Sequence, residues 1–185
     1  SNLIVNMKKI FFTRKLIETS EKYASNLFKV KLNVDDILLS KEEIINQCYD
    51  CDGIISTVTE VFDEELISKL SRKIKIISNF GVGFSNINIQ AAKKRNIIVT
   101  NTPDVLTAAT AEITILIILG AARRATEGIK LARNKNWKWA SNFLIGKELN
   151  MARLGILGMG RVGRAVAKRA RSFGMKIHYY NRARL

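Results

Sequence analysis

Short apolar runs alternate with segments of mixed polarity along the first part of the chain. The apolar runs predict strands at residues 9–13, 28–32, 53–57, 74–78 and 97–100. The segments between them predict helices at residues 15–27, 41–47, 63–70 and 88–95. Strand–helix alternation of this kind is typical of a parallel sheet with helices on both faces. The pattern therefore predicts an α/β domain over residues 1–101.

The pattern changes at Pro103, the only proline of the chain, which predicts a domain boundary. A long helix is expected next, over residues 107–132. Because its first half is apolar on nearly all sides, that half is expected to be buried. Residues 134–150 have no clear periodicity and predict an irregular connection. The remaining pattern predicts a second parallel-sheet domain over residues 102–185, with a strand at 153–157, a helix at 161–173 and a strand at 176–180.

A glycine-rich turn connects the first strand of this second domain to its helix. Gly158, Gly160 and Gly163 fit the pattern G-x-G-x-x-G, and the flanking strand and helix are the context that makes the pattern a dinucleotide site. Gly158 permits the tight turn, Gly160 lets the backbone approach a pyrophosphate, and Gly163 lets the helix pack close to the strand. The N–H groups at the helix start then face the phosphates. The alternative is a glycine-rich turn that binds no ligand.

The end of the next strand is where a dinucleotide-binding domain reads the ribose. An NAD-dependent enzyme usually has an acidic residue there, about 20 residues after the glycines. This chain has Asn181, followed by Arg182 and Arg184. Guanidinium groups bind a 2′-phosphate well. We therefore predict NADP(H) as the preferred cofactor, with NAD as a second option. The alternative is that the arginines are only solvated.

The charge balance is strongly basic, with 31 Lys and Arg against 16 Asp and Glu and a net charge of +15. A basic nucleic-acid binder is one interpretation, and it predicts affinity for DNA that falls steeply with salt. However, the charges are spread over different predicted elements, and no run reaches the roughly five or six like charges of a basic arm. We therefore expect no nucleic-acid partner.

No membrane partner is expected either. The longest stretch with few charges, residues 105–123, contains Glu112. On neither side of Glu112 does the uncharged part reach the ~20 residues that cross a bilayer. The first residues also lack the apolar core, about 7–15 residues long, of a secretory signal. The sequence predicts a soluble cytoplasmic protein.

Two cysteines, Cys48 and Cys51, are spaced C-x-x-C. They follow a predicted helix and so lie at its negative end, which does not stabilise a thiolate. A zinc site needs two more ligands, and the only histidine, His178, falls within a predicted strand and is assigned a structural role. We therefore expect two reduced, mostly buried thiols and no metal site.

Three stretches of the chain resemble the D-2-hydroxyacid dehydrogenases, and together they cover nearly its whole length. They are residues 77–87 around Gly81-Val82-Gly83, residues 99–112 around Asn101-Thr102-Pro103, and residues 154–175 with the glycine motif. Asn181-Arg182 most resembles the glyoxylate/hydroxypyruvate reductase branch. The resemblance implies a flavodoxin-like substrate domain over residues 1–101, followed by the start of a Rossmann dinucleotide-binding domain over residues 102–185.

The resemblance also implies roles for individual residues. The backbone N–H groups of Val82 and Gly83 would bind the substrate carboxylate, since a small glycine-containing nest suits an anion. Thr107 would lie near the nicotinamide. The long helix and the segment from Trp137 to Trp139 would form a homodimer interface. The pyrophosphate and the 2′-phosphate would be held by Gly160, Arg161, Val162, Gly163, Arg182 and Arg184.

The activity that the resemblance implies is hydride transfer between NADPH and a small 2-oxo acid, such as glyoxylate or hydroxypyruvate, to give a D-2-hydroxy acid. In that family an arginine, a glutamate and a histidine complete the chemistry. They are expected beyond Leu185, together with a segment that returns to the first domain, so the chain itself is expected to be an inactive fragment. An alternative on the same fold is a nucleotide-sensing regulator of the corepressor type.

Overall fold

The computed structural model describes residues 7–134 and 137–183. Their packing divides into two compact units, here called unit 1 and unit 2, and the boundary in the sequence lies between Pro103 and Asp104. The strands of unit 1 are β1 (Lys9–Phe12), β2 (Lys29–Lys31), β3 (Gly53–Thr57), β4 (Ile76–Phe80) and β5 (Ile98–Thr100). Its helices are α1 (Glu18–Leu27), α2 (Lys41–Gln47), α3 (Glu64–Lys69) and α4 (Ile89–Lys94).

The strands of unit 1 form one five-stranded parallel sheet in the order β2-β1-β3-β4-β5. The central strand β3 pairs with β1 and with β4, so that Ile54 lies beside Phe11 on one side and Ile77 on the other. This strand order is that of flavodoxin-like folds. The α/β class and the parallel sheet predicted from the sequence are confirmed. Because all the strands are parallel, their carboxyl ends lie at one edge of the sheet.

Apolar side chains alternate between the two faces of this sheet. Phe11 and Ile54 belong to a large core that includes residues of α2, α3 and α4. Ile10 and Phe12 belong to a smaller core with Ala24 of α1. Helices therefore cover both faces, as the sequence pattern predicts.

The short helices of unit 1 begin at side chains that accept backbone hydrogen bonds. Ser40 and Glu43 form a capping box at α2, in which the Ser40 N–H donates to the Glu43 carboxylate over 2.7 Å. Asp63 and Asn88 each accept a bond of 2.9 Å from the N–H three residues further on. A cap of this kind stabilises a helix by about 1 kcal/mol, which helps to fix where α2, α3 and α4 start.

Unit 2 contains α5 (Thr107–Ala122), α6 (Ala125–Arg133), β6 (Arg153–Leu157), α7 (Arg161–Ser172) and β7 (Lys176–Tyr180). The strands β6 and β7 form a two-stranded parallel sheet in which Gly155 lies opposite the exposed His178. Ala170 of α7 is fully buried in a small core with Leu149 and Met175. The predicted strand–helix–strand arrangement around the glycine turn is therefore confirmed.

The prediction of one long helix over residues 107–132 is wrong. The helix α5 ends at Ala122, Arg124 takes a left-handed conformation with φ of 53°, and α6 begins at Ala125. The carbonyl of Ala122 accepts a hydrogen bond of 2.7 Å from the N–H of Lys147. That carbonyl is thus bonded to a segment far along the chain instead of to the next helical turn.

The expectation that the first half of this helix is buried is also wrong for the described chain. Ile113, Leu116 and Ile117 are 56%, 62% and 64% exposed, and only Ala111 of α5 is buried. Within unit 2, α5 packs along one side against α7. A helix that is apolar all round therefore keeps its other sides accessible. An exposed apolar surface of this kind often marks a contact with another protein surface.

Both cysteines are buried and neither forms a disulfide. Cys48 caps the carboxyl end of α2, and burial raises the pKa of its thiol to about 12. Burial also raises the pKa of the Cys51 thiol. The predicted burial of both thiols is confirmed. Among the described residues, no three or more His, Cys, Asp or Glu side chains are grouped to hold a metal ion.

Across residues 7–134 and 137–183, no helix has the length and apolar character needed to cross a membrane.

Candidate functional site

In open parallel α/β sheets, ligands bind outside the carboxyl ends of the strands. At that edge of unit 1 lies a set of buried polar side chains. Thr13 directly follows β1, and Asn79 is the second-last residue of β4. Ser56 lies near the end of β3, and Glu60 lies in the loop after β3. Within the described residues, every buried side-chain nitrogen or oxygen atom has a hydrogen-bond partner. This edge is therefore a built polar network and not a gap in the core.

The carboxylate of Glu60 is the centre of one half of this network. It accepts hydrogen bonds of 2.8 Å from the hydroxyl of Thr13, 2.8 Å from the N–H of Thr57 and 2.6 Å from the hydroxyl of Thr59. These bonds join the end of β1 to the loop after β3. A carboxylate buried with several donors holds such a loop in one conformation.

An ion pair extends this network to the surface. The guanidinium of Arg14 donates to both carboxylate oxygens of Asp36, over 2.7 and 3.0 Å. The hydrogen bond from Arg14, together with one from the N–H of Lys15, lowers the pKa of the Asp36 carboxyl to about 2. Arg14 also donates to the hydroxyl of Thr59 over 3.0 Å. The loops after β1, β2 and β3 are thus tied together.

The turn after β4 contains the two residues predicted to bind the substrate carboxylate, Val82 and Gly83. A Cβ at Gly81 would overlap the side chain of Val58, so this turn needs glycine for close packing. The carbonyls of Gly81, Val82 and Gly83 each accept a hydrogen bond, of 3.0, 2.8 and 2.9 Å. Their donors are the Thr102 N–H and the side-chain amides of Asn101 and Asn79.

The N–H groups of Val82 and Gly83 behave differently from these carbonyls. Within residues 7–134 and 137–183, neither N–H donates to a protein group. Gly83 is exposed, and a Cβ built there meets no atom within 4 Å. Two neighbouring N–H groups without protein acceptors, on a turn where Gly83 is exposed, form a small nest that suits a carboxylate.

The glycine turn of unit 2 has the geometry that a dinucleotide loop needs. Gly158 has a φ of 94°, in the left-handed region that favours glycine. A Cβ at Gly163 would overlap the carbonyl oxygen of Gly158, so glycine is required there for close packing. A Cβ at Gly160 would meet no atom within 4 Å. In this protein alone, Gly160 is not needed for space, which fits a position that a ligand approaches closely.

The helix that leaves this turn has an amino end suited to an anion. Gly160 is the N-cap of α7, no side chain caps it, and the first turn contains no acidic residue. The first N–H groups of a helix have no partners within the helix, and the helix dipole favours negative charge at this end. Together with the open approach at Gly160, this arrangement fits the pyrophosphate of a dinucleotide.

Asn181 is bonded to the glycine turn. Its side-chain oxygen accepts a hydrogen bond of 3.3 Å from the N–H of Met159, and the carbonyl of Tyr180 accepts one of 2.9 Å from the N–H of Gly158. The end of β7 thus lies beside the turn, where a ribose would be read. Arg182 follows with an exposed side chain. Arg184 lies outside the described residues.

The other predicted cofactor residues lie at the start of two helices. Arg161 and Val162 are the first residues of α7, and Thr107 is the first residue of α5. The guanidinium of Arg161 pairs with the carboxylate of Asp104 over 2.7 Å. This exposed ion pair links the beginning of unit 2 to its glycine turn. Val82 and Gly83, in contrast, belong to unit 1.

Sequence reasoning did not assign roles to Glu60, Asn79 or Asn101. Asn101 is part of the motif Asn101-Thr102-Pro103, and that motif was the available signal. A buried acid in the loop after an apolar strand, as at Glu60, is a weaker signal, because acids in such loops are usually solvated. The partners of these side chains are set by strand pairing, which the sequence pattern does not specify.

Parallel α/β units with a glycine-rich strand-to-helix turn are typical of dinucleotide-binding proteins. The family model for the D-isomer specific 2-hydroxyacid dehydrogenase catalytic domain matches residues 10–180. The chain belongs to the D-isomer specific 2-hydroxyacid dehydrogenase family.

Individual relatives agree with this family. The chain is 36% identical over 181 residues to the glyoxylate reductase of Pyrococcus horikoshii, covering 95% of this chain and 54% of that protein. A structure from Polaromonas sp. JS6 66, described as a D-isomer specific 2-hydroxyacid dehydrogenase, NAD-binding, is 39% identical with a TM-score of 0.89, covering 97% of this chain and 57% of that one.

A third relative is the NADPH-dependent glyoxylate/hydroxypyruvate reductase of Sinorhizobium meliloti, solved in complex with NADP and malonate. It is 25% identical to this chain with a TM-score of 0.80, covering 97% of this chain and 55% of that one. The chain spans about half the length of the relatives that it matches.

Proposed function

We propose that this chain is the front part of an oxidoreductase that transfers a hydride between NADPH and glyoxylate or hydroxypyruvate to give a D-2-hydroxy acid. The observation that carries the proposal is the glycine turn of unit 2. Gly158 and Gly163 are required by the fold itself, whereas Gly160 faces open space at an uncapped helix start. A glycine at which the protein backbone can approach a pyrophosphate closely is what a dinucleotide site requires.

In this proposal the turn after β4 binds the substrate. The N–H groups of Val82 and Gly83 would donate to the carboxylate of the 2-oxo acid. The support is that the carbonyls of this turn are bonded to the protein while these two N–H groups are not, within the described residues. The glyoxylate reductase of Pyrococcus horikoshii and the reductase of Sinorhizobium meliloti act, by their names, on acids of this class.

The amino end of α7 would hold the cofactor. The backbone at Gly158, Gly160, Val162 and Gly163 and the side chain of Arg161 would bind the pyrophosphate. Thr107 would lie near the nicotinamide.

The preference for NADPH is argued from the end of β7. Asn181 stands where an acid would repel a 2′-phosphate, and the exposed Arg182 follows it. Arg182, with Arg184, would bind that phosphate through charge-assisted hydrogen bonds. The Sinorhizobium meliloti relative, solved with NADP, supports this assignment.

When bound, the cofactor supplies the hydride. The residues of this chain bind and orient the two reactants, which lowers the entropy cost of bringing them together. In this proposal, the proton for the alcohol product and the cation that orients the substrate would come from the histidine, glutamate and arginine that the family resemblance implies outside the given residues.

The test is oxidation of NADPH by the full-length protein that contains this chain, with glyoxylate and hydroxypyruvate as substrates. We expect turnover with both acids and none without an acid. NADPH binding without turnover would contradict the enzyme proposal and would favour the nucleotide-sensing regulator. Absence of NADPH and NADH binding would contradict both.

A homodimer is part of the same proposal. The exposed apolar side chains of α5, including Ile113, Leu116 and Ile117, give a surface of the kind that subunit interfaces bury. Trp139 in the segment after α6 is also largely exposed. A twofold interface would bury the same surface from both protomers.

A further inference from the structure

The direction of an N–H group is fixed when the carbonyl of the same peptide unit is fixed. A peptide bond is planar, and in the trans form its C=O and N–H bonds point in opposite directions. The described chain contains no cis peptide bond. The N–H of Gly83 therefore points away from whatever holds the carbonyl of Val82, and the N–H of Val82 points away from whatever holds the carbonyl of Gly81.

The side chain of Asn101 holds the first of these carbonyls. Its Nδ2 donates to the Val82 carbonyl over 2.8 Å, and Asn101 is partly buried. It follows directly after β5, which pairs with β4, so the strand pairing places Asn101 beside the turn after β4. The N–H of Thr102 holds the Gly81 carbonyl over 3.0 Å. Of the two contacts, only that of Asn101 depends on a side chain.

An asparagine suits this place because its amide provides an N–H donor on a short side chain. Aspartate has the same shape, but its ionised carboxylate accepts only and would face the Val82 carbonyl. Without a donor, the peptide between Val82 and Gly83 is free to rotate, and the Gly83 N–H loses its direction. The turn itself would persist, because Asn79 still donates to the Gly83 carbonyl over 2.9 Å.

We propose that Asn101 is a positioning residue: by holding the Val82 carbonyl, its side-chain amide aims the Gly83 N–H at the carboxylate of the substrate. This inference rests on the proposed function, in which Val82 and Gly83 bind a 2-oxo acid. The carboxylate keeps its charge throughout hydride transfer to the neighbouring carbon. Its contacts are therefore the same in the ground state and in the transition state, and their loss raises KM and leaves kcat nearly unchanged.

The experiment compares Asn101→Asp and Asn101→Ala in the full-length protein, with Asn26→Ala on the exposed surface of α1 as the matched control. We expect the KM for glyoxylate to rise about tenfold in Asn101→Ala, as for the loss of one net hydrogen bond. The rise should be larger in Asn101→Asp, because a second negative charge then lies near the substrate. For both variants, kcat should stay within about threefold and the KM for NADPH should not change.

Three other outcomes would contradict the positioning role of Asn101. A wild-type protein that neither binds nor reduces glyoxylate would contradict the proposed function, and the role of Asn101 with it. An active wild type with an unchanged glyoxylate KM in both Asn101 variants would contradict only the positioning role. A parallel loss of affinity for NADPH and glyoxylate would show that Asn101 maintains the fold in general, and would also overturn the proposal.

Discussion

At the scale of single residues, the three glycines of the turn after β6 have different reasons to be glycine. Gly158 adopts a left-handed backbone, Gly163 has no room for a side chain, and Gly160 has room for one. The sequence motif requires glycine at all three positions and does not distinguish the reasons. Their separation into fold requirements and a ligand requirement comes from the atoms around each one.

This difference predicts different results for two alanine substitutions. Gly160→Ala should lower the melting temperature far less than Gly163→Ala, since it costs only the N-cap preference for glycine. It should weaken NADPH binding by at least about tenfold, because the new methyl group lies where the pyrophosphate approaches. Gly163→Ala should lower both, since its methyl group would overlap the Gly158 carbonyl. Thermal melts and cofactor titrations of the two variants measure this. Equal NADPH affinity in Gly160→Ala and wild type would remove the main support for the cofactor site.

Arg182 carries the proposed choice between the two cofactors. Arg182→Ala should raise the KM for NADPH by about 10- to 100-fold, the cost of a charge-assisted hydrogen bond. The KM for NADH should change little, because NADH lacks the 2′-phosphate. Steady-state kinetics with each cofactor measure the two effects, and Arg72→Ala on the exposed surface of unit 1 is the control. Equal loss with both cofactors would mean that Arg182 does not read the phosphate.

Side-chain contacts between neighbouring strands could not be predicted from the sequence. Asn101 and Val82 are 19 positions apart and meet because β4 and β5 pair in one register. Glu60 and Thr13 are 47 positions apart and meet because β1 and β3 are neighbours. The glycines of the dinucleotide motif, by contrast, could be assigned from their spacing alone, because the strand and the helix that define the motif are adjacent to them in the sequence.

At the scale of elements, prediction succeeded where the signals are local. The helices α2 and α3 were predicted within one residue of their ends, and in the structure each begins at a capping side chain, Ser40 and Asp63. The break between α5 and α6 could not be predicted. At the break, the Ala122 carbonyl accepts a hydrogen bond from the distant Lys147 N–H. Residues 122–125 contain no glycine or proline that would have predicted the end of a helix.

The loops at the carboxyl edge of unit 1 are joined by the pair of Arg14 and Asp36, which makes their stability depend on pH. The folded-state pKa of Asp36 is about 2, below the usual 3.8, so its contribution is present above about pH 4 and is lost as the pH falls toward 2. Asp36→Asn should thus melt below wild type at pH 6, with the difference vanishing near pH 2.

Asparagine suits this test because it tolerates the left-handed backbone at position 36, where φ is 52°. The substitution therefore removes the charge without straining the turn. A difference in melting temperature that is the same at all pH values would show that the charge of Asp36 is not what stabilises these loops.

At the scale of the whole molecule, charge and apolar surface are distributed unevenly. Residues 104–185 contain sixteen Lys and Arg against four Asp and Glu, so this part carries most of the net charge of +15. A basic surface favours encounter with a phosphate-bearing cofactor. From the charges alone, only their scatter along the chain argues against nucleic-acid binding. The family relationship favours a nucleotide cofactor as the partner of this basic surface.

The exposed apolar side of α5 leads to a prediction about assembly. Ile117→Glu should convert the proposed homodimer to a monomer, because a buried unpaired carboxylate at an interface is strongly unfavourable. Light scattering on the full-length protein measures the mass, and Ser25→Glu on the exposed surface of α1 is the matched control. A wild-type protein that is monomeric at micromolar concentration would contradict the proposed interface.

We propose that the full-length protein moves a hydride from NADPH to the second carbon of a 2-oxo acid. The most direct test uses NADPH dideuterated at C4 of the nicotinamide, with hydroxypyruvate as the acceptor. We expect D-glycerate with one deuterium at C2, as measured by mass spectrometry and chiral analysis. Glycerate without the label, a product of the L configuration, or no reduction at all would contradict it.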